Sequence, residues 1–331
     1  MAGLSGQFGR RALAAAAMAS LLAGCVTTPE PVSTPAAEPD RRSRAQFFAD
    51  VPDADWQEIA ADNLLVMEWA GTDGAEPNRV VIRLANLDYG AAWAGNVRAI
   101  ARQGYWDAAG IYRVIPPFVA QWGIVPPADG GQAEPQEPAF LAEPAPGSFV
   151  APLAADASAD MCEGDAGVCD ALAPQVRIVD GFVFGSDGQA MWPLFCRGSV
   201  GVARGLANQG SGSALYAVLR TDHRDMDRNI GFVGRVVSGL LLLEALPAGT
   251  GPGGTYADPA DIPMLTRYSL ASDLPEAERP RYRMLRAGSD SHDAWLARLV
   301  QPDPFYSVRY RAARTCDDVV PVVPIEIDGD A

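Results

Sequence analysis

The chain has 331 residues, 48% of them apolar and 20% charged, enough for one sizeable core with insertions. Its net charge is −15 and every basic residue is Arg. A field this negative argues against nucleic acid and anionic lipid as partners, and the absence of Lys excludes a Schiff-base or phosphate-loop lysine.

Residues 1–24 read as processing sequence. Arg10-Arg11 gives a positive start, Ala12 to Leu22 a short apolar run, and Leu22-Ala23-Gly24-Cys25 a small-residue cleavage box. The run is shorter than the ~20 residues needed to span a bilayer. The pattern resembles a bacterial lipoprotein signal, which implies lipid on Cys25 and a chain anchored in the cell envelope, facing the periplasm. Val26 after the cysteine leans toward the outer membrane. Residues 25–45, rich in Thr, Pro and Ala, have the composition of an extended tether.

A short turn or helix is expected between Asp50 and Asp62. Leu64–Trp69, a turn cluster at Gly71–Gly74 and Arg79–Leu84 then read as a β-hairpin. Ala91–Gln103 places Trp93, Val97, Ile100 and Ala101 on one helical face, with Gly104 as a stop. Tyr112 to Gly123 is strand-like, with Arg113, Phe118 and Gln121 at spacings of five and three. From Ile124 to about Leu172 seven prolines and many small and acidic residues predict a largely irregular insertion, followed by an added strand at Val176–Val179. Val237–Leu246 reads as a helix and Ile262–Ala271 as a strand. Pro275–Val300 has helical composition, and Phe305–Ala312 and Val319–Ile325 resemble extra strands.

Besides Cys25 the cysteines are Cys162, Cys169, Cys196 and Cys316, which in an oxidising compartment allow three pairings. Cys162–Cys169 is favoured because the Gly-containing segment between them can turn back. Cys196–Cys316 would then pin the C-terminal tail. A metal site is not expected, because the Cys-x6-Cys spacing is loose and His223 and His292 lie far off.

Tyr112-Arg113-Val114-Ile115 with Phe118-Val119-Ala120-Gln121 resembles the signature of cyclophilin-type peptidyl-prolyl isomerases. So do Gly198–Arg204, Gly212–Val218 and Asp227–Val236, in the family's order, so that the likeness covers roughly residues 64–123 and 196–275. The resemblance implies a mainly β fold: a closed eight-stranded antiparallel barrel with a helix over each open end, spanning residues 46–275. The insertion would occupy about 124–190, and a C-terminal extension, 276–331, would pack on the barrel. It also implies a prolyl cis/trans isomerase in which Arg113 faces the prolyl amide, Phe118 floors the proline pocket and Gln121 holds the substrate backbone. Val119 and Tyr216 would grip the ring, and Ala203, Arg204 and Met226 complete the expected substrate-binding set. No cofactor is expected, the partners are proline-containing segments of exported proteins, and the chain is read as a monomer.

Several positions depart from the family pattern. Ala214-Leu215-Tyr216 stands for Gln-Phe-Phe, Arg204 for Asn, Ile230 for His and Trp122 for Gly. The aromatic that often closes the pocket is replaced by His223, Arg224 or Asp225, depending on alignment. These changes motivate a second reading, a binding module of the same fold without catalysis. The motifs of serine-hydrolase, zincin, phosphate-loop and dinucleotide chemistry are missing.

Overall fold

Eight antiparallel strands form one sheet: β1 (Leu64–Trp69), β2 (Asn78–Leu84), β3 (Ala109–Ile115), β4 (Val119–Ile124), β5 (Ser199–Val202), β6 (Ala214–Val218), β7 (Phe232–Ser238) and β8 (Leu265–Leu270). Their spatial order is β8-β1-β2-β7-β5-β6-β4-β3. The ends meet through a Gly110–Met264 bridge, beside which the Ile111 N–H donates to the Pro263 carbonyl at 2.9 Å, so the sheet curls into a nearly closed barrel. The computed structural model describes residues 42–71, 74–85, 91–125, 138–162, 167–205, 209–301 and 312–325. The expected leader, Cys25, most of the tether and all but the last residue of the expected strand Phe305–Ala312 lie outside these residues.

Among the described residues four helices accompany the barrel: α1 (Arg44–Ala49), α2 (Ala91–Arg102), α3 (Leu240–Glu244) and α4 (Asp290–Leu299). α1 begins inside the stretch read as tether, because Ser43 and Gln46 form a reciprocal capping box. α2 buries Trp93, Val97 and Ile100 in the barrel core, as its periodicity predicts, while Ala101 packs at the edge. α3 is half the expected length: β7 continues to Ser238, paired with Val81, and the chain turns only at Gly239.

Every residue of β1 is buried, and period two explains how. Leu65, Met67 and Trp69 join the main core, while Leu64 and Val66 join a second cluster with Val176, Ile178, Met284, Leu296, Val300 and Val319. On the same side Glu68 pairs with Arg79 at 2.5 Å and Arg267 at 3.0 Å. The insertion and the tail therefore clothe one wall of the barrel. Each fully buried aliphatic side chain there contributes on the order of 1.5–3 kcal/mol.

The insertion is less irregular than its composition suggests, and the strand expected at Val176–Val179 is part of a sheet. Gln175–Val179, Phe182–Ser186, Ala190–Pro193 and Ala151–Pro152 form a four-stranded antiparallel sheet within the insertion. In the region read as helical, Tyr282–Leu285 is instead a strand between Trp56–Glu58 and Val322–Pro324, so the two ends of the described chain share a sheet. The Cys162–Cys169 and Cys196–Cys316 disulfides are both formed.

His292 ties α4 to the tail. Its ring is fully buried, Nε2 bonds the Val319 carbonyl at 3.1 Å and the Gly288 N–H donates to Nδ1 at 3.3 Å, which suits the neutral imidazole. Burial pulls its pKa below the ordinary value, against the Val319 carbonyl and Asp293, which favour the charged form. An unfolded histidine protonates near 6.5, so this site's contribution is complete above about pH 6.5 and is lost as pH falls through the lower folded value. Unfolding free energy measured in urea from pH 7.5 downward should therefore fall more steeply below about pH 6.5 in the wild type than in His292→Gln. Equal slopes would contradict the assignment.

Candidate functional site

Residues of four neighbouring strands meet in one lateral row. Arg113 on β3 lies opposite Gln121 on β4, Gln121 opposite Tyr216 on β6, and Tyr216 opposite Gly201 on β5. All four share the face turned away from Trp122 and Leu215, whose side chains lie in the barrel core. A register shift between Ile111 and Arg113 leaves Tyr112 as the extra residue of a bulge, and this sets Arg113 against Gln121.

The guanidinium is fixed by neutral acceptors. Arg113 Nε donates to the Gly253 carbonyl at 2.7 Å and Nη1 to Gln121 Oε1 at 3.0 Å, while Gln121 Nε2 donates to the Tyr112 hydroxyl at 2.5 Å. Burial raises the Tyr112 pKa, opposed by the Gln121 bond and the Arg113 charge. No carboxylate pairs with Arg113 among the described residues, so its charge is oriented without being neutralised. Nη2 keeps its donors for a bound molecule.

The loop supplying the Gly253 carbonyl runs along the open edge of β3. Gly249 N–H bonds the Val114 carbonyl at 2.9 Å and Tyr256 N–H the Tyr112 carbonyl at 3.1 Å. Gly254, at φ +83°, lies so close to β3 that a Cβ would fall 2.2 Å from Ile115 Cγ1. Nothing in the sequence linked this glycine-rich loop to Arg113.

Beside this row opens a cavity of about 620 Å³. The structure brings Arg113, Phe118, Val119, Gln121, Ala203, Arg204, Tyr216 and Met226 together on its lining. Tyr112, Ala214 and Ile230 also line it. The Tyr216 hydroxyl, buried, donates to Met226 Sδ at 3.2 Å, and burial pushes its pKa up. Arg204 is exposed at the rim, bonding the Gly205 carbonyl at 3.0 Å and the Asn229 carbonyl at 3.3 Å. Of the three residues alignment left open, His223 stands over Phe118, their ring centroids 4.5 Å apart and edge to face. Asp225 points outward, and Arg224 turns away into a buried ion network. The cavity thus combines an apolar slot, a fixed cation at its edge and peptide groups along its rim, a set suited to an amide flanked by a compact apolar ring.

Residues 74–264 match the family model described as cyclophilin type peptidyl-prolyl cis-trans isomerase/CLD, and the chain belongs to that family. Among solved structures it is similar to the cyclophilin AquaCyp293 from Hirschia baltica, at 21% identity and a TM-score of 0.57, over 86% of this chain and 97% of that one. A Cryptosporidium parvum cyclophilin type isomerase, crystallised in the presence of the dipeptide Ala-Pro, matches at 13% identity and a TM-score of 0.34, over 62% of this chain and 98% of that one. No curated protein matches the sequence.

The absent side chain at Gly201 makes room for the phenol: a Cβ there would lie 2.6 Å from the Tyr216 hydroxyl and 2.9 Å from Phe195 Cε1. Gly201→Ala should cost about 1–3 kcal/mol of unfolding free energy in urea. Gly201→Ala/Tyr216→Phe should recover part of that loss. A Gly201→Ala protein as stable as wild type would show that the crowding is relieved elsewhere.

Proposed function

We propose that the chain catalyses cis/trans isomerisation of prolyl peptide bonds in its Arg113 cavity. One observation carries the proposal: a guanidinium held by Gln121 and the Gly253 carbonyl, without a carboxylate, at the edge of a slot lined by Phe118, Val119, Tyr216 and Met226. Membership of the family supports it.

The chemistry needs no nucleophile and no cofactor. Rotation about the prolyl C–N bond faces a barrier of about 18–20 kcal/mol because amide resonance is lost at the twisted geometry. There the nitrogen pyramidalises and gains a lone pair, which the unpaired Nη2 donors of Arg113 stabilise more than they do either planar form. A guanidinium is charged at any working pH and presents a rigid fork of donors. The apolar slot holds the pyrrolidine ring still while the acyl side turns. Gln121 fixes the guanidinium and, with the rim near Arg204, aligns the flanking peptide.

The biological setting belongs to the same proposal: a protein held in the envelope by lipid on Cys25, acting on exported polypeptides. The leader motif and the two disulfides support it. A second reading, a tethered binder of proline segments, is favoured by the rim, where Ala214 offers no amide and Ile230 no imidazole.

Two-dimensional NMR exchange on an Ala-Pro peptide decides between them. The isomerase reading expects acceleration by the wild type and a loss of roughly 10²-fold or more in Arg113→Ala. Equal inertness of both proteins, with peptide bound, leaves the binding module. Separately, Cys25→Ser should move the protein from the membrane to the soluble fraction; retention in the membrane would contradict lipid anchoring at that residue.

A further inference from the structure

The turn from His223 to Asp227 brings Met226 to the cavity and carries an ion network on its far side. On its front, His223 stacks edge to face on Phe118 and Met226 accepts the Tyr216 hydroxyl. On its back, Arg224 Nε donates to Asp227 Oδ2 at 2.7 Å, and Nη1 and Nη2 both donate to the Asp170 carboxylate, Nη2 at 3.1 Å. Nη1 also reaches Thr315 Oγ1 at 3.3 Å, and that hydroxyl donates to Asp170 Oδ2 at 2.6 Å. Asp227 Oδ1 in turn accepts the Phe195 N–H at 2.9 Å, and the His223 N–H donates to the Phe195 carbonyl at 2.9 Å.

The partners come from far along the chain. Asp170 lies in the insertion next to Cys169, which is bridged to Cys162, and Thr315 lies in the tail next to Cys316, bridged to Cys196. Phe195 adjoins Cys196. Three of the four bridged cysteines thus flank a member of the network, and Thr315 lies beyond the residues matched by the family model. The carboxylates are nearly sealed, with side-chain exposures of 3% for Asp170 and 8% for Asp227, so the fork of Arg224 fixes the turn in one place. Burial raises both carboxyl pKa values; the Arg224 and Thr315 bonds bring Asp170 below its ordinary range, whereas Asp227 stays above.

We propose that Arg224 is a positioning residue for prolyl binding: through Asp170 and Thr315 the insertion and the tail hold Met226 and His223 against the proline slot. The inference rests on the isomerase reading. Arg113 is held by other elements, β4 and the 249–256 loop, so the network governs how well the ring is gripped and leaves the guanidinium in place. Grip that is equal for planar and twisted amide acts on KM and spares kcat.

The test uses the whole protein with an Ala-Pro peptide. Arg224→Met should raise KM about five- to tenfold with kcat within about twofold. Asp170→Asn and Thr315→Val should shift KM in the same direction, and Arg224→Met/Asp170→Asn should fall short of the product of the single effects. In the free protein the NMR signal of the Met226 methyl should move in each variant. Arg281→Gln, which breaks the exposed pair with Glu58, controls for loss of an ion pair as such and should leave KM, kcat and the methyl signal unchanged. A folded Arg224→Met with wild-type KM and methyl signal overturns the inference; should that variant not fold, Asp170→Asn and Thr315→Val decide on the same readings. A wild type that neither binds the peptide by calorimetry nor accelerates its exchange overturns the isomerase reading itself, and the methyl signal then still reports whether Arg224 positions the turn.

Discussion

A charge that must act on a substrate has to be held without being cancelled. Arg113 meets that constraint with an amide oxygen and a backbone carbonyl, which fix its direction but leave its charge free. The rest of the site follows from this. The bulge at Tyr112 sets Arg113 against Gln121, the Tyr112 hydroxyl anchors the Gln121 amide, and the close approach of Gly254 to Ile115 presses the carrier loop against β3. Arg224, in the turn from His223 to Asp227, is the opposite case: its charge is answered by two carboxylates, which makes it a strut. One residue type serves two ends, and the acceptor decides which.

The barrel is also covered unevenly. One side of β1 and β2 carries Leu64, Val66 and Val81, which would lie bare without the insertion and tail packed on them. The segments that hide this surface also contribute Asp170 and Thr315 to the back of the cavity wall. Stability and the shape of the site are therefore coupled through the same elements, and the two disulfides hold those elements where they meet.

What sequence made legible is local. Leu64–Trp69 and Arg79–Leu84 bracket a turn cluster, Trp93, Val97 and Ile100 share a helical face, and the Arg113–Gln121 stretch keeps a family's spacing; the structure places each as an element of those kinds. Most of the cavity lining comes from stretches that each carried a motif of its own, with Met226 just outside them. What escaped was made by distance. Trp56–Glu58 and Tyr282–Leu285 are each too short to show a period, and become strands only by pairing with each other across more than half the chain, whereas Val322–Pro324, the other neighbour of Tyr282–Leu285, falls within the stretch read as a strand. Apart from the strand read at Val176–Val179, the insertion's sheet is hidden for a related reason: proline and small residues dominate its composition, while the other strands are two to five residues long. A carbonyl such as that of Gly253 has no sequence signature at all, and the choice among His223, Arg224 and Asp225 waited on the direction in which one short turn faces.

The central claim is a geometric one about a bound proline, and the crystal structure of the protein with an Ala-Pro dipeptide tests it most directly. The account predicts the pyrrolidine ring against Phe118, Val119, Tyr216 and Met226, with Arg113 Nη2 directed at the prolyl amide. A dipeptide seated elsewhere, or a ring in the slot with the guanidinium turned from its amide, would contradict it.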